Sequence, residues 1–150
     1  MPRNMVTVRP IESADLDAIV AIDEKLTGQT RKDYWRLRLE IAACRPPWMS
    51  SVAEMDARVV GFLFAWVGEA EFGIATPTGW IDLIGVDPAY RGRGVGNALV
   101  DRFIAGGRDL RAIGKVATLI DIGQADVREF FTRLGFQHGP MIHLERNVSA

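Results

Sequence analysis

The chain reads as an α/β domain with a mixed sheet, and three observations carry that expectation. Apolar strand-like runs and segments of helical period follow one another as β–α–α–β–β–β–α–β–α–β, with a further strand open at the end. Three strands run consecutively in the middle, which is not the alternation of a doubly wound fold. One of them, Trp80 to Val86, passes through Asp87-Pro88 into the glycine-rich run Arg91-Gly92-Arg93-Gly94-Val95-Gly96 and then into an amphipathic segment.

Each element has its own local cause. Val6 and Val8 predict a short first strand that Pro10 closes. Ser13 is placed to cap a helix carrying Leu16, Ile19, Val20 and Leu26, and Thr27-Gly28-Gln29 breaks it. Thr30, with Asp33 three residues on, reads as the cap of a second helix that ends before Arg45-Pro46-Pro47. Ser51 to Met55 and Val59 to Phe72, joined by Asp56-Ala57-Arg58, form a hairpin pattern with a long aromatic second arm. Ala75 to Gly79 is a turn into the Trp80–Val86 strand. After the glycines, Val95, Ala98, Leu99 and Phe103 recur at helical spacing, with an end expected at Gly106-Gly107. Lys115 to Ile122 is another apolar strand. Val127, Phe130, Phe131 and Leu134 make a helical face that Gly135 stops, and Phe136 to Arg146 reads as a last strand pair interrupted at Gly139-Pro140.

Composition narrows the class. With 150 residues, 48% hydrophobic and 25% charged, residues 1–150 read as one soluble globular domain. A formal net charge of −1 argues against a general nucleic-acid binder. The longest apolar run, Val59 to Val67, is too short to span a bilayer as a helix, and Met1 to Met5 carries no apolar signal core. A cytoplasmic protein is the expectation, with neither membrane nor nucleic acid as partner. Cys44, the single cysteine, cannot form an intrachain disulfide; its register with Tyr34, Leu37 and Ile41 predicts buried filler. His138 and His143 are not spaced as metal ligands with any carboxylate cluster, so no metal is expected.

The Arg91–Gly96 run is the most specific local signal. Three glycines in five residues let the backbone turn tightly and approach a ligand closely. The first-turn N–H groups of the following helix point outward with the positive end of the macrodipole, which suits a phosphate. Arg91 and Arg93 add charge that pairs with phosphate oxygens. A dinucleotide fingerprint from Gly92 would need glycine or alanine at Asn97, and no Gly-Lys-Ser/Thr follows for a P-loop. The run therefore reads as a pyrophosphate cradle outside those two motifs.

With the cradle, the element order and the later Leu134-Gly135-Phe136, the chain resembles a GNAT-superfamily N-acetyltransferase. Ile84-Gly85-Val86-Asp87-Pro88-Ala89-Tyr90-Arg91-Gly92-Arg93-Gly94-Val95-Gly96 is similar to the acetyl-CoA signature of that family. Its core, Gln/Arg-x-x-Gly-x-Gly/Ala, is met by Arg91, Gly94 and Gly96. The resemblance implies a mostly antiparallel central sheet of six to seven strands flanked by about four helices. It implies acetyl-CoA as co-substrate, with Arg91, Gly92, Arg93, Gly94, Val95, Gly96 and Asn97 at the pyrophosphate. Ile84, Gly85 and Val86 would offer the pantetheine arm a strand edge, where this strand and Lys115–Ile122 splay apart. Gly85 would permit close approach there, or relieve crowding in the sheet. Gln124 stands where the family often has asparagine and would keep an amide contact to the cofactor. Phe131 stands where many members have the tyrosine that protonates the departing thiolate, and phenylalanine has no proton to give.

Acetyl transfer to an amine needs a neutral amine, a polarised thioester carbonyl and an exit for the thiolate. A lysine-like amine with a pKa of ~10.4 needs a base or proton-conducting water near neutrality. The N–H of Val86 is the candidate oxyanion donor. Asp82 is the candidate base: simple alternation puts it on one face with Trp80, Ile84 and Val86 in an apolar strand. An ion pair with an arginine, or a solvated edge position, accounts for the same residue. Asp121 is the second candidate base, with a solvated strand end as its alternative. Leu119 stands where the branch that acetylates ribosomal-protein N-termini carries glutamate, which argues against that branch. Asp23 and Tyr34 lie in the first two helices, where the family builds its acceptor pocket, and are the candidate amine-binding residues; Trp35 reads as core.

The function expected is acetyl transfer from acetyl-CoA to a primary amine of a small molecule or protein, directly in a ternary complex. Phe131 and the absent glutamate motivate an alternative, a non-catalytic acyl-CoA binding or sensing module. The aromatics of Val59 to Phe72 leave a protein-interaction role, including a homodimer, open.

Overall fold

The computed structural model describes residues 5–149 and divides the chain into two compact units, residues 1–119 and 120–150. The first holds one five-stranded sheet in the order β1-β2-β3-β4-β5: Thr7–Pro10, Ser51–Met55, Arg58–Gly68, Thr78–Val86 and Lys115–Thr118. The first four strands pair antiparallel, and β5 joins β4 in parallel. The mixed α/β class is as expected. The strand count is not: among the described residues no strand forms beyond β5.

The missing pair is Phe136 to Arg146. These residues find no ladder, and Ile142 and Leu144 stand more than four-fifths exposed. Alternating apolar residues suggest a strand, but a strand exists only against a partner edge, and Pro140 withholds a donor. β5 also stops early, at Thr118 rather than Ile122, because its pairing with β4 ends at Ile81↔Thr118.

Helices α1 (Leu16–Thr27) and α2 (Lys32–Ala43) cover one face of the sheet, and α3 (Val95–Asp109) covers the other. The core under α1 and α2 joins Ile19, Val20, Ile22, Trp35, Leu39 and Ala42 to Val52, Phe62 and Phe64. Trp35 is core, meeting Phe62 edge-on and Phe64 at a tilt, with centroids at 5.0 and 5.5 Å. This stripe corrects the reading of Cys44, which is exposed. The helix buries Trp35, Leu39 and Ala42, so the Tyr34–Leu37–Ile41–Cys44 register faces outward.

Three termini also differ from expectation. A short 3-10 turn, Ser13–Asp15, precedes α1, and the Asp15 carboxylate accepts from the N–H of Glu12 (2.8 Å), so Ser13 lies inside the turn. The N-cap of α2 is Arg31, not Thr30, since Arg31 is drawn across to Asp23 of α1. α3 runs past Gly106-Gly107 to Asp109. A Cβ at Gly107 would stand 2.4 Å from Ile113 and one at Gly106 3.2 Å from Trp48, so close packing, not helix termination, requires these glycines. The hairpin forms, but with a shorter join and a shorter second arm than expected. Asp56 and Ala57 alone make the turn, with positive φ (52° and 60°) as in a type I′ turn, and Arg58 already belongs to β3. β3 stops at Gly68 rather than Phe72, where its pairing with β4 ends.

In the second unit, α4 (Ala125–Arg133) packs Phe131 against Phe130 and Phe136, each at 5.0 Å between centroids. Gly135 follows with φ 90° as expected of a stop.

Candidate active site

Strand β4 is paired along one edge with β3 throughout but along the other with β5 only from Thr78 to Ile81. The Thr118 hydroxyl donates to the Ile81 carbonyl (2.9 Å) at the last point of contact. From Asp82 to Val86 the outer edge of β4 has no strand partner among the described residues. The N–H of Asp87 bonds back to the Val60 carbonyl (2.8 Å). Successive N–H groups alternate between edges, so those of Val86 and Ile84 face the open one.

A β-bulge lies in this stretch. Leu83 opposes Phe64 and Ile81 opposes Ala65, which leaves Asp82 as the extra residue. The bulge resets the alternation. Gly79 faces Phe103 of α3, and Val86 is registered with Gly61, which faces Val95 and Leu99 of α3. Gly85 instead faces Phe62 and Leu26, and Leu83 packs on the core under α1 and α2. Asp82 therefore shares a face with Trp80, Leu83 and Gly85, not with Ile84 and Val86 as simple alternation had it.

On that face Asp82 is ion-paired with Arg38 of α2, whose guanidinium lies 5.8 Å above the Phe64 ring centroid. Of the two roles open to Asp82, the structure displays the ion pair. Gly85 serves crowding: a Cβ there would stand 2.5 Å from the Phe62 ring. Asp23 is 3% exposed, and both its oxygens are taken by Arg31 at 2.8 and 2.9 Å. That hydrogen-bonded guanidinium holds the Asp23 carboxyl below the usual carboxylate range against the opposing effect of burial. Tyr34 is exposed at the helix surface, with Arg31 4.8 Å from its ring centroid.

The cradle begins at Asp87. Burial pushes its carboxyl upward, but Lys25 Nζ at 2.8 Å and the N–H of Ala89 at 3.0 Å outweigh burial and hold it low. Asp87 thus caps the short turn Pro88–Tyr90, and the Asp-Pro pair is the sequence signal for that cap. Arg91 is extended, Gly92 takes φ 73°, and Gly94, the N-cap of α3, takes φ 81°. No atom lies within 4 Å of a Cβ at Gly92 or Gly94, so backbone conformation, not crowding, calls for glycine here. The first helical bond runs from the N–H of Ala98 to the Gly94 carbonyl (3.0 Å), which leaves those of Val95, Gly96 and Asn97 without an intrahelical acceptor.

The charge pattern points the same way. Helices favour carboxylates in their first turn, yet α3 has none there. Instead Arg91 and Arg93 stand exposed beside its positive end, with no ion pair among the described residues; Arg93 lies over the Tyr90 ring at 5.1 Å. A helix end with free first-turn amides and two exposed guanidiniums concentrates positive potential that attracts an anion. The residues present therefore fit a phosphate-bearing ligand.

Three other candidates belong to the second unit. Gln124 is the exposed N-cap residue of α4 and makes no side-chain cap bond. Phe131, 3% exposed, sits in the second unit's aromatic cluster. Asp121 is exposed and its Oδ1 accepts from the N–H of Gly123 (2.7 Å), a local turn. No group of ligating side chains suited to a metal occurs among the described residues, and no described helix is long and apolar enough to cross a membrane.

The β4 edge left open beyond Ile81 and the glycine-rich start of α3 that follows it in the chain suit a phosphate-bearing ligand, and comparison with known proteins gives the class. The acetyltransferase (GNAT) family model matches residues 16–136, and the chain belongs to that family. It is 29% identical over 161 residues to a mycothiol acetyltransferase of Acidothermus cellulolyticus, covering 96% of this chain but 48% of the relative. The chain thus spans about half the length of the curated relative it matches. Among solved structures, an aminoglycoside N-acetyltransferase in complex with CoA superposes with a TM-score of 0.80 at 18% identity, covering 99% of each chain. A ribosomal-protein-alanine N-acetyltransferase of Brucella melitensis gives 0.74 at 18% identity, covering 95% of this chain and all of that one. Both likenesses speak to the fold.

Proposed function

We propose that this protein transfers the acetyl group of acetyl-CoA to a primary amine, directly in a ternary complex, and that residues 1–150 act as one catalytic domain. The observation that carries the proposal is the continuity between the unpaired edge of β4 and the unpaired first-turn amides of α3. Family membership supports the chemistry, and the relatives' names support an amine on a small molecule.

In this reading the amides from Arg91 to Asn97 hold the pyrophosphate, with Arg91 and Arg93 pairing its oxygens. The open edge at Ile84 to Val86 receives the pantetheine arm as an added strand would be received. When bound, the co-substrate supplies an activated acetyl thioester. The Val86 N–H, directed to the open edge, is placed to donate to the carbonyl oxygen as charge develops on it. Asp82, held at the bulge by Arg38, orients the acceptor amine and takes its proton directly or through water. The ion pair with Arg38 fixes the position of Asp82. Phe131 gives no proton, so the leaving thiolate, with an intrinsic pKa of about 8.5, is released without an acid at that position.

Initial rates of thiol release, measured while acetyl-CoA and a primary amine are both varied, test the proposal. Intersecting double-reciprocal lines are expected; parallel lines would mean a covalent acetyl-enzyme and would overturn direct transfer. Tight acetyl-CoA binding with no release to any amine would instead favour an acyl-CoA binding module.

A further inference from the structure

We propose that the face of β4 turned toward α2 is an aromatic acceptor platform, selecting an amine carried on an aromatic ring over an aliphatic polyamine. This rests on the acetyl-transfer reading above and specifies its acceptor.

Trp66 of β3 and Trp80 of β4 are register partners, and their rings stack 5.9 Å apart with 16° between planes. Trp80 shares its face with Asp82, two positions before the bulged residue. Phe72, from the loop joining the two strands, meets Trp80 edge-on at 5.4 Å. Phe72 is 65% exposed and sits at φ 57°, a region that bulky residues rarely adopt. An exposed phenylalanine contributes little burial to offset such strain, and strain of this kind persists where a site uses it. The aromatic surface at the foot of the open β4 edge is therefore larger than folding requires.

The ionic groups do not favour a polycation. Both Asp23 oxygens are bonded to Arg31, and Asp82, which the transfer reading assigns to the one reacting amine, is also paired with Arg38, so neither is left for the further ammonium groups of a polycation. Arg31, Arg38 and Arg45 recur every seven residues, at the N-cap of α2, within it and just beyond its C-terminus, and Arg45 has no carboxylate partner among the described residues. Burial and repulsion from Arg38 weaken its hold on a proton, and its one hydrogen bond goes to the Ala65 carbonyl (3.4 Å). Glu71, beside Phe72, accepts from the N–H of Ala70 (3.1 Å). Glu69 and Glu71 are exposed in the loop that carries Phe72 and can hold a single ammonium there, while beside Asp82 an acceptor meets ring surface, by stacking and cation–π contact.

Thiol release at saturating acetyl-CoA, with 2-phenylethylamine and spermidine as probes, reads the preference. We expect kcat/KM for 2-phenylethylamine to exceed that for spermidine at least about tenfold, with a KM insensitive to salt because apolar contact is unscreened. Phe72→Gly should raise that KM about tenfold while Tm holds or rises, since glycine relieves the strained φ. Equal or better use of spermidine, or a KM unmoved by Phe72→Gly, would overturn the platform. The indole N–H signals of Trp66 and Trp80 supply a readout without turnover, assigned with Trp80→Leu. Their shift on adding 2-phenylethylamine upholds the platform even if no thiol is released, which would count against the transfer reading alone. No shift, or a concentration-dependent dimer that abolishes it, overturns the platform.

Discussion

The cradle and the α2-facing side of β4 are adjacent in the chain but were built by different means. From Asp87 to Asn97 the geometry is local: two glycines with positive φ, a proline turn and a helix start, all within a dozen residues. The acceptor-side face is assembled from afar. Asp82 meets Arg38 across 44 positions, Trp80 meets Trp66 across the β3–β4 register, and a bulge decides which way Asp82 points. On the proposed reading, a phosphate site made of backbone is a sequence motif, whereas an acceptor site made of side chains is a property of register.

That contrast predicts that damage on one side spares the other. Replacing Arg31 by alanine leaves the buried Asp23 carboxylate unpaired and should destabilise the fold by about 3–5 kcal/mol. Urea unfolding measures the loss, and calorimetry should find CoA affinity unchanged at a temperature where the variant is folded. Because Asp23 is depressed in the fold, this contribution is complete above the unfolded carboxylate value near about 4 and is lost as pH falls through the lower folded one.

Gly94→Val forces a β-branched residue to φ 81° and should weaken CoA binding about 100-fold, close to 2.7 kcal/mol. Reactivity of the acceptor face toward an amine probe should survive in that variant, as the indole signals would report. Asp82→Asn inverts the pattern: kcat/KM for the amine should fall by about 10- to 100-fold with CoA affinity intact. An equal loss of CoA affinity would dissolve the distinction between the two regions.

The smallest effect is at their junction. Lys25→Met removes the cation beside Asp87 and should cost about 1 kcal/mol at neutral pH, since Lys25 itself is more than half exposed. Asp87 is depressed in the fold, so the difference between the two proteins should shrink as pH falls below about 4, which unfolding curves across that range would show.

What the sequence disclosed follows the same division. Element order, the hairpin turn at Asp56-Ala57, the stop at Gly135 and the whole cradle follow from neighbouring residues. The facing of Asp82 did not, because period-two alternation fails at a bulge, and a bulge depends on the partner strand. Cys44 was misplaced because two helical stripes compete in α2, and only contact with Phe62 and Phe64 makes the Trp35 stripe the buried one. The arginines that occupy Asp23 and Asp82 carry no local signature beyond their spacing of seven. The last strands were expected from alternation alone, with no edge to receive them.

The central claim is that α3 begins with an anion site whose charge is completed by the CoA pyrophosphate. Calorimetric titration of CoA into the wild-type protein and into the Arg91→Glu, Arg93→Glu double variant tests it most directly. Carboxylates beside a helix N-terminus stabilise the helix, so the variant should unfold at an equal or higher temperature. Its CoA affinity should nevertheless fall about 100-fold or more, and the salt dependence of binding should weaken. Unchanged affinity in a folded variant would contradict the account.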